Sequence, residues 1–168
     1  MSVMQGIKLL FSNKNYVFLF ISFNCLYGLY SAISSSITSF TTPYNYTASM
    51  NSVLCLTFLV AGIFFSFFIG TLLDKYQCYR KALIFLCCSS IASLSLNGLI
   101  LPISSLLGQS LAMMFAGATV IPIMTVAYTY AGELTYPVPE IYSIGFLISI
   151  SQVFGCILVS LIFIEFML

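Results

Sequence analysis

Five long apolar stretches restrict what this sequence can fold into. They run from about Tyr16 to Ile37, Ser52 to Leu73, Ala82 to Leu101, Leu106 to Gly132 and Tyr142 to Ile164. A helix needs about 20 mainly apolar residues to cross the hydrocarbon core of a bilayer. No Lys, Arg, Asp or Glu lies inside the first four stretches, and a charge at the centre of a span would cost about 2.5–3.5 kcal/mol. We therefore expect five transmembrane helices.

The composition agrees with a membrane location. Of the 168 residues, 61% are apolar and 5% are charged, against about 25% charged in a typical soluble domain. So few charges cannot cover the outside of a water-soluble globule, which excludes a soluble enzyme and a disordered tail. The net charge of +1 offers no basic surface for nucleic acid. We predict an all-α membrane protein, with a cytoplasmic lead-in over residues 1–15 and a five-helix transmembrane domain over residues 16–168.

The residue types available for chemistry argue against catalysis. The sequence contains no His, the commonest general base and a common metal ligand. The six cysteines show no C-x-x-C spacing, and a Cys in an apolar run usually behaves as a small hydrophobic residue. We therefore predict no catalytic residue, no metal site and no cofactor, and a protein that is not an enzyme.

The basic residues predict how the chain is oriented in the membrane. Lys8 and Lys14 precede the first span, while Lys75, Arg80 and Lys81 lie between the second and third. Loops rich in Lys and Arg remain on the cytoplasmic side, so the loop over residues 41–51 should face the lumen or the outside. That loop contains the glycosylation sequon Asn45-Tyr46-Thr47, and Asn45 is a candidate acceptor.

The loop after the second span carries the first recognisable motif. Gly70-Thr71-Leu72-Leu73-Asp74, followed by Arg80-Lys81, resembles the Gly-x-Leu-x-Asp loop signature of the major facilitator superfamily. The glycine that usually precedes the basic pair is missing here. The motif alone leaves open an ordinary loop that is positively charged on the cytoplasmic side. If the resemblance holds, Gly70, Asp74 and Arg80 belong to a conformational gate.

A second motif covers the last connection and the fifth span. It comprises Glu133-Leu134-Thr135-Tyr136-Pro137-Val138-Pro139-Glu140, then Ser143, Gly145 and Leu147, and Gln152-Val153-Phe154-Gly155. This pattern resembles the feline leukaemia virus subgroup C receptor family of haem, choline and ethanolamine transporters. The resemblance implies that the five spans are helices seven to eleven of a twelve-helix bundle, in which Glu133 and Glu140 lie at the gate. The chain would then be a fragment whose partner is the missing N-terminal half.

The same resemblance indicates three substrate-binding residues. Gln152 matches the family's pocket glutamine, Tyr30 matches an aromatic residue of the seventh helix, and Tyr128 lies in an aromatic-rich segment. Polar groups deep in a membrane are costly and mark functional sites, and aromatic faces attract quaternary ammonium groups. For Gln152 the alternative is an interhelical hydrogen bond, and for Tyr30 it is ordinary packing.

The resulting prediction is a transporter fragment in the lipid bilayer of the plasma membrane or of an organelle. It would move a small organic solute, such as haem, choline or ethanolamine, by alternating access. Two alternatives stay open: a transporter of the same superfamily for another organic cation or a vitamin, and a non-transporting scaffold or pseudogene product.

Overall fold

The computed structural model describes residues 3–103 and 105–167 as a series of helices. They are α1 (Val3–Ser12), α2 (Lys14–Ser35), α3 (Ile37–Thr41), a 3-10 turn (Thr42–Tyr44), α4 (Ala48–Tyr76), α5 (Tyr79–Ile100), a second 3-10 turn (Leu101–Ile103), α6 (Leu106–Thr135) and α7 (Glu140–Met167). Residues 1, 2, 104 and 168 of the predicted lead-in and transmembrane domain lie outside the described part.

Within the described residues, five helices are long and apolar enough to cross a membrane. They are α2, α4, α5, α6 and α7, and no strand occurs in the same residues. The predicted fold class, an all-α membrane protein with five transmembrane helices, is confirmed. The chain is an integral, multi-pass membrane protein.

Helix α4 extends beyond its apolar stretch at both ends, because capping contacts and not hydrophobicity set where it begins and ends. Helix α4 begins at Ala48, where the Thr47 side chain accepts the Met50 N–H at 3.4 Å. It ends at Tyr76, where Gln77 adopts a left-handed conformation (φ 50°) and donates its N–H to the Leu73 carbonyl at 2.8 Å. Such a left-handed residue is a common helix terminator. Asp74 and Lys75 therefore lie in the last turn of a helix.

The chain divides into two compact units. The first comprises residues up to Ser36 and residues from Ala127 onward, so it contains α1, α2, the end of α6 and α7. The second comprises Ile37–Val126, with α3, α4, α5 and most of α6.

In the first unit, α2 and α7 run in the same direction and approach closely. A Cβ atom on Gly155 would lie 3.0 Å from the Ser31 hydroxyl and 3.8 Å from the Gly28 Cα. A Cβ on Gly28 would overlap the Phe154 ring. Small residues let helix backbones approach in lipid, where no hydrophobic effect drives association, so these two glycines permit the crossing.

In the second unit, α6 packs against both α4 and α5. A Cβ on Gly117 would overlap the backbone carbonyl oxygen of Phe58 in α4. Between α5 and α6, the Ser93 and Thr119 hydroxyls lie 3.1 Å apart, and the Gln109 amide donates to the Asn97 Oδ1 at 3.1 Å. Interhelical hydrogen bonds of this kind stabilise contacts between helices in a membrane.

Candidate functional site

The first unit contains a glutamine–tyrosine pair between its two long helices. Gln152, near the middle of α7, donates an Nε2 hydrogen to the Tyr27 hydroxyl on α2, and the two atoms are 2.7 Å apart. Gln152 is exposed and Tyr27 is half-buried. Among the described residues, no other hydrogen bond of this amide is found. The oxygen and the second N–H of Gln152 are therefore available to a ligand.

Aromatic rings surround the Tyr27 member of this pair. The rings of Tyr27 and Phe23 stack with centroids 5.6 Å apart, and Tyr30 meets Tyr27 edge-on at 6.2 Å. From α6, the Tyr128 ring lies 5.6 Å from that of Phe23. Residues 23, 27 and 30 recur at helical spacing and so share one face of α2.

The structure thus brings the three predicted substrate-binding residues into one cluster. Gln152, Tyr30 and Tyr128 are connected through Tyr27 and Phe23, which the sequence reasoning missed. The signal that could have found them was the spacing itself, since Phe23 and Tyr27 lie four residues apart and Tyr30 follows at three. We call these five residues the amide–aromatic cluster.

An open face of α7 adjoins this cluster at Gln152. One helix supplies all of its residues, namely Gln152, Val153, Cys156, Ile157, Ser160 and Leu161. None of these side chains carries a charge. This face is open and uncharged, so it forms no enclosed ligand cavity of its own.

The predicted gate residues of the first motif lie at the end of α4 and the start of α5. Asp74 and Arg80 are exposed, and a Cβ added to Gly70 would meet no atom within 4 Å. The structure describes no salt bridge between Asp74 and Arg80. These three residues belong to the second unit, whereas the amide–aromatic cluster belongs to the first.

The two glutamates of the second motif flank the connection between α6 and α7. Both Glu133 and Glu140 are exposed. The Glu140 side chain folds against Gly132, where a Cβ would lie 3.2 Å from its carboxyl carbon. No ion pair of either glutamate is described in this part of the chain, and neither belongs to the amide–aromatic cluster.

The predicted glycosylation loop lies in the second unit. Asn45 is exposed and has a left-handed backbone (φ 61°) directly after the first 3-10 turn. Thr47 is exposed as well and caps α4. Tyr46 between them is buried, with 9% of its surface exposed.

The groups that could hold a metal are dispersed in the described residues. No three His, Cys, Asp or Glu side chains come together there as metal ligands would. All six cysteines are free thiols. The amide–aromatic cluster can therefore contact a ligand through hydrogen bonds and aromatic faces.

Two known proteins align with nearly the whole chain. The chain is 29% identical to the choline/ethanolamine transporter flvcr2a of Danio rerio over 160 residues, which cover 92% of this chain and 33% of that protein. It is 26% identical to the choline/ethanolamine transporter FLVCR2 of Rattus norvegicus over 157 residues, which cover 93% of this chain and 29% of that protein. No protein-family model matches the chain.

The relatives are membrane transporters and not enzymes. The chain spans about a third of the length of these curated relatives, while nearly all of its own length aligns with them. The predicted resemblance is confirmed: the chain is similar to the feline leukaemia virus subgroup C receptor family of transporters.

Proposed function

We propose that this chain is part of an alternating-access transporter for a small organic cation of the choline and ethanolamine type. The observation that carries the proposal is the hydrogen bond between Gln152 and Tyr27, whose ring contacts those of Phe23 and Tyr30. The similarity to choline/ethanolamine transporters supports it. Phe23, Tyr30 and Tyr128 complete the proposed substrate site.

The chemistry of the amide–aromatic cluster fits such a substrate. A quaternary ammonium group has no N–H to donate, so it binds best against aromatic faces, each of which contributes about 0.5–2 kcal/mol. A primary ammonium group could in addition donate to a tyrosine oxygen. The hydroxyl of either solute could donate to the free Gln152 oxygen or accept from its second N–H.

In the proposed mechanism, two halves of the transporter rock around a central site near the membrane midplane. This chain would supply helices seven to eleven, and an N-terminal half would supply the opposite wall. Gly70, Asp74, Arg80, Glu133 and Glu140 would belong to the cytoplasmic loops that hold one state closed. No covalent step is involved.

Uptake by the intact protein, meaning the full transporter of which we propose this chain is a part, tests the proposal. Cells that express it at their surface should take up radiolabelled choline or ethanolamine in a saturable way, and each solute should compete with the other. Gln152→Ala should lower this uptake. Ser149→Ala is its matched control on α7, because in the described residues the Ser149 hydroxyl donates to the Gly145 carbonyl of its own helix. Uptake of a different organic cation or vitamin with no choline competition would favour another substrate. A surface-expressed protein that moves none of these solutes would favour a scaffold.

A further inference from the structure

The end of α6 and the start of α2 share one capping side chain. The Asn13 Oδ1 accepts the Asn15 N–H at 3.1 Å and so caps the N-terminus of α2. The Nδ2 of the same side chain donates to the Leu134 carbonyl at 2.8 Å. This carbonyl lacks its usual amide partner four residues on, because the Val138 N–H donates to Thr135 instead. Carbonyls in the last turn of a helix need such external partners.

A buried tyrosine connects α2 to the start of α7. Tyr16 has 0% of its surface exposed, and its hydroxyl donates to the Ser143 carbonyl at 2.8 Å. The acceptor is a backbone atom in the first turn of α7, so the bond fixes the position of the helix itself and not of a flexible side chain.

Aromatic rings pack around Tyr16, whose ring lies 6.5 Å from that of Phe11 and 6.2 Å from that of Phe20. Phe11 from α1 meets Phe20 of α2 edge-on at 5.6 Å and Phe146 of α7 edge-on at 5.5 Å. Phe20 and Phe146 stack on each other at 5.8 Å. The rings and the two hydrogen bonds therefore join α1, α2, α6 and α7 at the end where α2 and α7 begin.

We propose that Asn13 and Tyr16 are positioning residues of the substrate site, which act through Gln152 and Tyr27. The inference rests on the proposed function, because the three helices that they join are the three that carry the amide–aromatic cluster. The joined ends and the cluster also lie in one compact unit.

Helix geometry explains how a contact at the start of α2 and α7 can position Tyr27 and Gln152, which lie near the middle of these helices. Tyr16 and Tyr27 are separated by about 16 Å along α2, and Ser143 and Gln152 by about 14 Å along α7. With Tyr16 bonded to Ser143, the two helices run in register and Tyr27 meets Gln152. A slip of α7 by one residue would move Gln152 by about 1.5 Å along the axis and turn it by about 100°, which would break its hydrogen bond.

Two substitutions remove the hydrogen bonds and keep the packing. Tyr16→Phe deletes the hydroxyl and retains the ring. Asn13→Asp retains an oxygen that can cap α2 but replaces the amide donor to the Leu134 carbonyl by an oxygen that can only accept. In the intact protein, each should raise the KM for choline by about three- to tenfold, the size expected for one hydrogen bond. The maximal rate per surface copy should remain within about a factor of two.

Tyr76→Phe is the matched control. Tyr76 has 61% of its surface exposed and is the last residue of α4, in the other unit.

A second readout separates positioning from general stability. If Tyr16 acts through Gln152, Tyr16→Phe should not raise KM further in a Gln152→Ala background. Additive effects in that background, an unchanged KM in the single variants, or a loss of uptake that only follows surface abundance would each overturn the inference.

Amide hydrogen exchange keeps this test independent of the transport proposal. The first two turns of α7 should exchange faster in Tyr16→Phe than in the native protein or in Tyr76→Phe. If exchange rises while Gln152→Ala leaves uptake unchanged, the connection between helices is real but the proposed site is wrong, and the positioning role falls with it. If Gln152→Ala lowers uptake while Tyr16→Phe changes neither exchange nor KM, the proposed function stands and the positioning inference fails.

Discussion

An amide side chain in the middle of a membrane-spanning helix needs hydrogen-bonding partners that lipid cannot provide. Leaving its groups unpaired in hydrocarbon costs several kcal/mol. Gln152 meets part of this need through one bond to the Tyr27 hydroxyl. Its oxygen and second N–H have no partner among the described residues. We expect this incomplete pairing on an exposed residue if the side chain binds a polar solute.

Replacement of Gln152 by alanine should lower transport by the intact protein at least several-fold. The substitution removes the amide that, in our proposal, orients the hydroxyl of the substrate, and it leaves Tyr27 unchanged. Uptake and surface abundance should be measured together, with Ser149→Ala as the control. If uptake and abundance fall in proportion, Gln152 holds helices together and binds nothing.

Substitutions at Tyr128 should separate the aromatic face from the hydroxyl. Tyr128→Phe keeps the face and should leave the affinity for choline within about a factor of two. Tyr128→Leu removes the face and should weaken binding by about two- to thirtyfold, which corresponds to about 0.5–2 kcal/mol. Competition between labelled and unlabelled choline measures both. Equal losses in the two variants would contradict a role for the ring face.

The sequence alone identified part of the cluster. A glutamine in an apolar stretch is conspicuous because its polarity is out of place, and Gln152 could be predicted for that reason. Tyr27 carried no such signal, since tyrosine is common in this chain and its role depends on the face that α2 turns toward α7. That rotation follows from contacts distant in sequence, such as the one between Tyr16 and Ser143.

At the scale of elements, the positions of the helices followed from apolarity, but their ends and contacts did not. A hydrophobic stretch measures the part of a helix that lies in hydrocarbon. It cannot show that Thr47 caps α4 or that Gln77 ends it. Nor does it show which glycines meet a neighbour, because Gly117 touches the Phe58 carbonyl while a Cβ on Gly98 would meet nothing within 4 Å.

These two glycines give a paired prediction on helix packing. Gly117→Ala places a methyl group against the backbone of α4, so the helices must separate, and overpacking of this kind costs about 1–3 kcal/mol. Gly98→Ala adds the same methyl group to open space. The thermal stability of the intact protein should therefore fall for Gly117→Ala and stay unchanged or rise slightly for Gly98→Ala, since alanine favours a helix more than glycine does. Equal stability of the two variants would contradict the described α4–α6 contact.

At the scale of the whole molecule, charge asymmetry predicts the orientation in the membrane. All five basic residues precede the first span or lie between the second and third, which assigns those segments to the cytoplasm. The loop of Asn45 then lies on the opposite side. Its exposed asparagine is also sterically open to a glycan.

Glycosylation checks this orientation. The native protein should lose apparent mass on enzymatic deglycosylation, and Asn45→Gln should abolish the change. Thr47→Asp is the sharper variant, because it destroys the sequon and keeps a side-chain oxygen that can cap α4. Labelling of Cys78 supplies an independent check, since it is exposed beside the basic residues. If a membrane-impermeant thiol reagent reaches Cys78 only from outside, the predicted orientation is wrong.

The central claim is that the amide–aromatic cluster binds a small organic cation. Equilibrium binding of labelled choline to the purified intact protein in lipid nanodiscs tests it most directly. We predict saturable binding by the native protein and by Ser149→Ala, and binding at least about tenfold weaker when Gln152→Ala and Tyr128→Leu are combined. Equal affinity in all three proteins would contradict the account, because the cation would then bind without this cluster.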